Sequence, residues 1–383
     1  MVTIIGNGMG KYDFSNLDIS FCEFDKIVCD KNFIDSGSNV LKLGFKDAKE
    51  YILDHFDDEN ILYVVSGSPL FYSAGILIAN KLPKNSVKII DNESSKKYLL
   101  KKLFISEQSC GVFSLHGRTL VDLEVLLVQK YTFILCDDKT IDRLKEALSF
   151  VKDQIKITIG YKLGYEDEEI KEIDIFDDFS FDLTFPYVLL IDREYEHKSP
   201  ICDDLEFETQ RGMITKKYKR HLSLQNLDLL PNQLLWDIGA GSGSCGIEAF
   251  KRYRVSTVFF EKNPLRSDFI LKNLHNHHVL NTKLLIGEAQ NLFETLSDDP
   301  ERIFVGGGGV KVIEKLPYLY ERLKESGVML INAITLSHLS KMIEILNSNS
   351  IKYEVHSISL TTYKGKLDLV EPERQLFQIK VTK

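Results

Sequence analysis

The sequence is short of cysteine, and its cysteines form no close pair. The six lie at positions 22, 29, 110, 136, 202 and 245, with no C-x-x-C spacing among them. Disulfide frameworks and cysteine-rich zinc sites need cysteines at recurrent, short spacings. We therefore expect reduced thiols, no metal site and a cytoplasmic protein.

Long hydrophobic runs and an excess of positive charge are also missing. No apolar stretch approaches the roughly 20 residues that cross a bilayer, and the first residues lack the basic segment and apolar core of a signal peptide. The net charge is −8 at pH 7. We therefore expect no membrane partner, and no nucleic-acid partner that needs a broadly basic surface.

What is present is an ordinary globular composition. The chain has 383 residues, of which 44% are hydrophobic and 27% charged, so it can bury two cores. It has no repeats or low-complexity tracts. The segment 192–204 is polar and contains Pro200, which makes it the best candidate linker. We predict one domain at residues 1–195 and another at residues 205–383.

The most informative stretch runs from Leu234 to Ser244. An apolar run leads into Asp237 and then into glycines at alternate positions, Gly239, Gly241 and Gly243. This pattern predicts a buried strand, a tight turn and the start of a helix. The spacing differs from the dinucleotide motif G-x-G-x-x-G. It is typical of the D-x-G-x-G-x-G loop of S-adenosylmethionine (AdoMet) methyltransferases, although a tight turn without a ligand has the same spacing.

A carboxylate follows the next predicted strand. Residues 255–260 are β-branched or aromatic except at Ser256, and they end at Glu261, about twenty residues after the glycines. A carboxylate at the end of the adjacent strand can accept hydrogen bonds from both ribose hydroxyls of a nucleoside. Asn263 and Pro264 then predict a helix start. Together these features favour a nucleoside cofactor.

Strands and helices alternate along the first half. The strand Val2–Ile5 runs into a glycine turn at positions 6, 8 and 10, and Ile61–Val65 runs into a second loop. Residues 91–95 predict a helix N-terminus after the strand Val87–Ile90. This order predicts an α/β fold with ligand loops at the ends of parallel strands. Denser strands from about residue 112 predict a mixed sheet in a second lobe.

The second half has the same alternation. Strands at 282–286, 302–305 and 328–331 each end in small or polar residues, and a helix is expected up to Lys324. Tyr353–Leu360 and Gln375–Val381 alternate in polarity and predict a terminal antiparallel pair. The second half therefore predicts a Rossmann-like α/β domain.

The second half resembles the C15-methylating, decarboxylating methyltransferases of cobalamin biosynthesis. The resemblance runs from about residue 202 to 346. It is carried by the strings at 212–216, 236–244, 261–264, 287–289, 304–309 and 328–335. It implies a class I methyltransferase fold with cofactor contacts from Thr215, Asp237, Gly239, Ala240, Gly241, Ser242, Gly243, Glu261, Glu288 and Ala289. It also implies substrate contacts from Gly307, Gly308 and Asn332.

The first half resembles the C5-methylating tetrapyrrole methylases. The matching strings are 66–72, 94–95 and 114–118, while Ser68 and Met9 stand where that family usually has Asp and Pro. The resemblance implies a two-lobed fold. It implies cofactor contacts from Gly6, Gly8, Gly67, Ser68, Ser94 and Ser95, and substrate contacts from His116 and Arg118.

Some of these residues have simpler explanations. Glu261 could be a surface carboxylate at the start of a helix, and Thr215 could be only the N-cap of the next helix. Three histidines at a helix end, His275, His277 and His278, lack the i, i+4 spacing of a helical metal pair, so we expect a polar loop there.

A basic cluster stands out in an otherwise acidic chain. Its members are Arg211, Lys216, Lys217, Lys219 and Arg220. It is either a solvated helix face or a local trap for the acetate and propionate side chains of a tetrapyrrole.

Together the two resemblances imply a bifunctional enzyme. It would methylate a precorrin or cobalt-precorrin at C5 and C15, decarboxylate the C12 acetate, and form a homo-oligomer. Two alternatives stay open: an RNA or protein methyltransferase that uses only the second half, and a first half that binds tetrapyrrole without catalysis. The sequence identifies no general base and does not say whether the ring carries cobalt.

Overall fold

The chain divides into two compact units. The computed structural model describes residues 1–10, 19–30, 33, 37–116, 126, 128–177, 180–195, 199–307, 309–364 and 369–383. One unit comprises residues 1–120, 125–142 and 154–195, and the other comprises residues 121–124, 143–153 and 196–383. Each unit has its own hydrophobic core.

Five parallel strands form the first sheet of the first unit. They are β1 (Val2–Gly6), β2 (Lys26–Cys29), β3 (Val40–Lys42), β4 (Ile61–Val65) and β5 (Val87–Ile90), in the order β3-β2-β4-β1-β5. Every residue of β1 and β4 is buried, as expected for parallel strands covered on both faces. The helices are α1 (Phe45–His55), α2 (Ala74–Ala79) and α3 (Ser95–Lys102).

A second, mixed sheet completes the first unit. Its strands are β6 (Cys110–Ser114), β7 (Tyr131–Leu135), β8 (Ile155–Tyr161), β9 (Glu169–Ile173) and β10 (Tyr187–Arg193), in the order β6-β7-β10-β8-β9. β6 and β7 are parallel, and the other neighbours are antiparallel. The expectation of a mixed sheet from about residue 112 is confirmed. The helix α4 (Thr140–Leu148) follows β7 in the sequence.

Seven strands form the main sheet of the second unit. They are β11 (Leu234–Ile238), β12 (Ser256–Glu261), β13 (Thr282–Ile286), β14 (Arg302–Val305), β15 (Val328–Ala333), β16 (Tyr353–Ile358) and β19 (Leu376–Thr382). Their order is β13-β12-β11-β14-β15-β19-β16. The strands from β13 to β15 pair in parallel, whereas β19 pairs antiparallel with both β15 and β16. The order reverses between β11 and β14, which makes their carboxyl ends a ligand-binding switch point. The Rossmann-like fold and the terminal antiparallel pair are confirmed.

Helices cover both faces of this sheet. They are α5 (Lys217–Asn226), α6 (Ser244–Tyr253), α7 (Pro264–Asn276), α8 (Ala289–Leu292), α9 (Gly309–Glu314), α10 (Leu316–Arg322) and α11 (Leu336–Ser348). A hairpin of β17 (Thr361–Lys364) and β18 (Leu369–Pro372) was not expected from the sequence. Among the described helices, none has both the length and the apolar character needed to cross a membrane.

An aromatic cluster lies at the centre of the second core. Trp236, Phe260 and Phe293 are fully buried, and their ring centroids lie 5.4–5.9 Å apart. Such contacts add to the stabilisation from burial alone. They fix β11 and β12, whose ends carry the glycine turn and Glu261.

Candidate cofactor and substrate sites

The glycine turn after β11 is held by backbone hydrogen bonds. The amides of Gly239 and Ala240 both donate to the carbonyl oxygen of Phe260, at 3.0 and 3.1 Å. The amide of Gly243 closes the turn onto Ala240 at 2.8 Å. Gly243 then precedes α6 as its N-cap, with φ at +76°. The turn is therefore fixed against the end of β12.

Two glycines of the turn are needed for different reasons. Gly239 has φ at +73°, and a Cβ on it would lie 2.8 Å from backbone atoms of Gly307. Gly241 has φ at +63°, and a Cβ on it would meet nothing within 4 Å. The first glycine allows two loops to pack backbone against backbone. The second borders open space, where a ligand can approach the main chain.

The carboxylate of Glu261 is the polar centre of the site. Its Oε2 accepts from the amide of Gly241 at 2.9 Å, and its Oε1 accepts from the amide of Asn263 at 2.9 Å. The residue is only 3% exposed, so it is not the surface carboxylate of the simpler explanation. Each oxygen keeps a second lone pair, which suits the acceptance of two ribose hydroxyls.

Asp237 lies beneath the turn. Its Oδ2 accepts from the amide of Gly246 in α6 at 3.0 Å, and the residue is 1% exposed. Burial raises the pKa of this carboxyl to about 7, and the negative charge of Glu261 adds to the increase. This placement makes Asp237 a residue that ties β11 to α6. A direct contact with the cofactor stays a prediction.

A cavity of about 160 Å³ opens beside Glu261. Of the residues expected at the site, it is lined by Gly239, Glu261, Glu288, Ala289 and Gly307. Ala289 begins α8 and is small and buried, which leaves room for a flat ring. Gly308 lies outside the described residues.

Two cations also line this cavity and were not expected there. They are Lys262 and Arg266, which follow Glu261 in the chain. The terminal nitrogen of Lys262 lies 3.4 Å from a carboxylate oxygen of Glu288. Their position next to the strand-end carboxylate was the available signal in the sequence.

Ser242 and Asn273 connect the turn to the chain before α5. Asn273 is fully buried, and its Nδ2 donates to the carbonyl oxygens of Ser242 and Glu208, each at 2.9 Å. Its Oδ1 accepts from the amide of Glu208 at 2.8 Å. The Ser242 hydroxyl is buried and has no hydrogen-bond partner among the described residues. The sequence carried no signal for Asn273, because the residue lies inside a helix.

Thr215 is held through its backbone by Arg220. The guanidinium of Arg220 donates to the carbonyl oxygen of Thr215 at 2.7 Å and to Glu248 Oε2 at 2.7 Å. The N-cap of α5 is Lys216, so the explanation of Thr215 as that N-cap is wrong. Arg220 is fully buried. Both interpretations of the basic cluster, a solvated helix face and a trap for substrate carboxylates, are therefore wrong for this residue.

Among the described residues, one group of potential metal ligands comes together. Atoms of Cys202, Glu206 and His277 all lie within 4.8 Å of one another. Two of its members already have other partners: Lys251 Nζ donates to the Cys202 sulfur at 3.2 Å, and His277 Nε2 lies 3.0 Å from the Glu206 carbonyl oxygen. His277 is buried and stacks on Phe207, so the expectation of a polar loop is wrong for this histidine.

The expected loops of the first unit meet at the ends of β1, β4 and β5. Asn7 Oδ1 accepts from the amide of Gly67 at 2.7 Å, and the amide of Gly8 donates to the Gly67 carbonyl oxygen at 3.2 Å. Asn92 Nδ2 donates to the carbonyl oxygen of Gly6 at 3.0 Å. Side-chain amides therefore bind the three loops together.

Ser68 is paired with a carboxylate from the next loop. Its hydroxyl donates to Asp91 Oδ1 at 2.5 Å and accepts from the amide of Leu70 at 3.1 Å. Asp91 thus supplies a carboxylate beside Ser68, the position at which the tetrapyrrole methylases usually have Asp. Ser94 N-caps α3 by accepting from the amide of Lys97, which confirms the expected helix start.

A cavity of about 1240 Å³ adjoins these loops. It is lined by the expected residues Gly8, Gly67, Ser68, Ser95 and His116, whereas Gly6 and Ser94 are not among its lining residues. Gly117 and Arg118 lie outside the described residues.

Sequence reasoning missed Asp137 and Tyr187, which also line this cavity. The Tyr187 hydroxyl donates to the Asp137 carbonyl oxygen at 2.6 Å, and burial raises the pKa of this tyrosine. Asp137 follows β7, so the rule that found Glu261, an acid after a strand, would also have found it.

Comparisons with known proteins find proteins that are similar to the second unit. Residues 206–383 match the model of the precorrin methyltransferase domain family. The chain is 29% identical over 288 residues to a precorrin-6Y C(5,15)-methyltransferase [decarboxylating] of Sinorhizobium, covering 72% of this chain and 68% of that protein. It is 31% identical over 162 residues to a probable cobalt-precorrin-6B C(15)-methyltransferase (decarboxylating) of Methanococcus vannielii, covering 41% and 85%. A crystal structure of precorrin-6Y C5,15-methyltransferase from Geobacter metallireducens has 32% identity and a TM-score of 0.47, covering 49% of this chain and 100% of that chain.

Proposed function

The chain belongs to the precorrin methyltransferase family, and on that premise we propose that it methylates a precorrin or cobalt-precorrin at C5 and C15. In the same proposal it removes carbon dioxide from the C12 acetate. The chain is an enzyme, a methyltransferase that uses AdoMet as its methyl donor. The two methylations are divided between the two units.

The C15 reaction belongs to the second unit in this proposal. The observation that carries it is the Glu261 carboxylate, which faces the Gly241 amide beside a cavity at the switch point of the sheet. Glu261 accepts from the ribose hydroxyls, and the small Ala289 leaves room for adenine. The open side of Gly241 admits the rest of the cofactor.

Methyl transfer requires mainly that the protein position the methyl group and the carbon that attacks it. The sulfonium carries a reactive methyl group, and an electron-rich meso carbon of the reduced macrocycle attacks it. The protein has to hold the two carbons in line at near-attack distance. Gly307 follows β14, which pairs with β11, and Asn332 lies near the end of β15, which pairs with β14. They are the residues proposed to contact the macrocycle.

Decarboxylation uses the same macrocycle as an electron acceptor. When the bond between the acetate methylene and its carboxylate breaks, its electron pair enters the conjugated ring and carbon dioxide leaves. A proton then replaces the lost group on the methylene. Burial of the acetate against the protein favours the loss of its charge.

The C5 reaction belongs to the first unit in this proposal. Its cavity of about 1240 Å³ is large enough for a tetrapyrrole and is bordered by the glycine loops at Gly8 and Gly67. The match to the Sinorhizobium protein spans 288 residues. That is more than residues 206–383 contain, so the match extends into the first unit and supports this part.

The test is to incubate the full chain with AdoMet and precorrin-6B and to measure the product mass. We expect a gain of two methyl groups and a loss of one carbon dioxide. The variant Glu261→Gln should still add the C5 methyl group but should neither add the second one nor release carbon dioxide. Unchanged substrate mass with the wild-type chain would refute the proposal. One methylation with decarboxylation would confine catalysis to the second unit.

A further inference from the structure

Asn332 and Gln378 are direct neighbours on adjacent strands. They are paired across the antiparallel strands β15 and β19. Gln378 is fully buried, whereas Asn332 is half-buried at the carboxyl end of β15. The neighbouring strand β14 is followed by Gly306 and Gly307, which line the cavity beside Glu261. Asn332 therefore lies at the edge of the sheet where this fold binds ligands.

The orientation of the Gln378 amide follows from its other partners. The Ser223 hydroxyl has one proton and donates it to the Lys219 carbonyl oxygen at 2.8 Å. Its oxygen must therefore accept from Gln378, whose Nε2 lies 2.7 Å away. On the opposite side, Gln378 Oε1 accepts from Asn226 Nδ2 at 2.9 Å. The network thus assigns which end of the Gln378 amide carries the protons.

This assignment also decides how Asn332 is turned. The second proton on Gln378 Nε2 is donated to Asn332 Oδ1 at 3.0 Å. The carbonyl oxygen of Asn332 is therefore used inside the protein. Its Nδ2, with two N–H donors, has no hydrogen-bond partner among the described residues.

We infer that Asn332 presents its amide donors to a carboxylate of the tetrapyrrole, and that Gln378 is the positioning residue that enforces this polarity. The inference rests on the proposed function, in which the strand ends of the second unit hold the macrocycle. A precorrin carries several acetate and propionate groups, which only accept hydrogen bonds when ionised. An asparagine turned the other way would offer such a group a carbonyl oxygen and repel it.

The decisive variant is Asn332→Asp. It has nearly the same shape, and one of its oxygens can still accept from Gln378. The other oxygen would face the substrate as an acceptor, so both donors would be lost. We expect the affinity for cobalt-precorrin-6B, titrated by its absorbance change, to fall by tenfold or more (about the effect of a hydrogen bond to a charged group). AdoMet affinity should not change.

A second variant tests the positioning role. Gln378→Glu replaces the two donors by acceptors, so the Asn332 amide should turn over and present its oxygen to the substrate. The expected result is again weaker tetrapyrrole binding with unchanged AdoMet affinity, a split that a merely structural defect would not produce. Asn332→Asp carries the test if this variant fails to fold. The matched control is His356→Gln, because His356 is the other cross-strand neighbour of Gln378 and is exposed.

Binding and turnover separate the possible failures. Wild-type affinity in Asn332→Asp would overturn the inference, whatever the turnover. A second outcome is that the wild-type chain binds the tetrapyrrole without converting it, while Asn332→Asp binds it more weakly. This result would support the inference and refute the proposed function. A wild-type chain that binds no tetrapyrrole would overturn both.

Discussion

At the scale of single residues, the cofactor turn depends on the close contact between Gly239 and Gly307. We predict that Gly239→Ala lowers the free energy of unfolding by about 2–4 kcal/mol, because a methyl group would collide with the Gly307 backbone at positive φ. Urea unfolding can be followed through Trp236, the one tryptophan of the chain.

The matched control is the reciprocal change, Gly307→Ala. A Cβ on Gly307 would meet the Gly239 carbonyl oxygen at 3.7 Å, an ordinary contact. Its cost should be below about 1 kcal/mol. Equal losses in the two variants would contradict the explanation by close packing.

The buried carboxyl of Asp237 predicts a pH dependence. The pKa of this carboxyl is raised to about 7 in the folded chain, from its ordinary value of 3.8. Between these values the folded state holds a proton that the unfolded state has released, so stability falls as the pH rises through this range. The slope contributed by this group is at most about 1.4 kcal/mol per pH unit.

The variant Asp237→Asn isolates this contribution. The asparagine oxygen can still accept from the Gly246 amide, and it does not titrate. Urea unfolding of both proteins at several pH values between about 4 and 7 gives the difference. Parallel stability curves would show that Asp237 does not hold the proton.

At the scale of the helices, α5 and α6 are joined by a buried ion pair. Arg220 and Glu248 are both fully buried, with Nε and Oε2 at 2.7 Å. We predict that Glu248→Ala costs about 3–5 kcal/mol, because it leaves the Arg220 charge without this partner inside the protein. Urea unfolding followed through Trp236 measures the loss.

A surface pair provides the control for this prediction. Glu314 and Lys341 lie 2.8 Å apart with side chains that are 55% and 37% exposed. Glu314→Ala should therefore change the stability by no more than about 1 kcal/mol. A comparable loss in both variants would mean that burial of the Arg220 pair has no special importance.

The elements themselves were predictable where the signals are local. Asn263 caps α7 by accepting from the Leu265 amide at 3.0 Å, as the Asn-Pro pair indicated. The single helix expected up to Lys324 is wrong, because the chain forms α9 and α10 with a break at Lys315. Pro317 lies in the first turn of α10, where a proline is tolerated and favours a helix start.

At the scale of the whole molecule, the proposed division of labour predicts the number of cofactor sites. The full chain should bind two AdoMet molecules, one in each unit. Glu261→Gln should abolish one site, because the introduced NH2 group cannot accept from a backbone amide as the Glu261 oxygens do. Isothermal titration calorimetry measures the stoichiometry.

The control is Glu325→Gln, which removes the same charge from an exposed position. This variant should keep both AdoMet sites. A single site in the wild-type chain, lost in Glu261→Gln, would show that the first unit does not bind AdoMet. The first unit would then be the non-catalytic tetrapyrrole scaffold that the sequence left open.

The sequence by itself determined the alternation of strands and helices, the glycine turn and the carboxylate after β12. These features depend on neighbouring residues: apolar runs favour strands, glycines permit positive φ, and Asn-Pro starts a helix. The position of Glu261 was predictable because adjacent parallel strands bring their carboxyl ends together.

Only the tertiary structure decided which distant residues meet. In the sequence Arg220 is one member of a basic cluster, but in the structure it forms a buried ion pair with Glu248. Gly239 needs its small size because Gly307, from another strand end, packs on it. The orientation of the Asn332 side-chain amide depends on Gln378, which β19 brings beside it. Such contacts depend on which strands and helices become neighbours, and local residue patterns do not encode that choice.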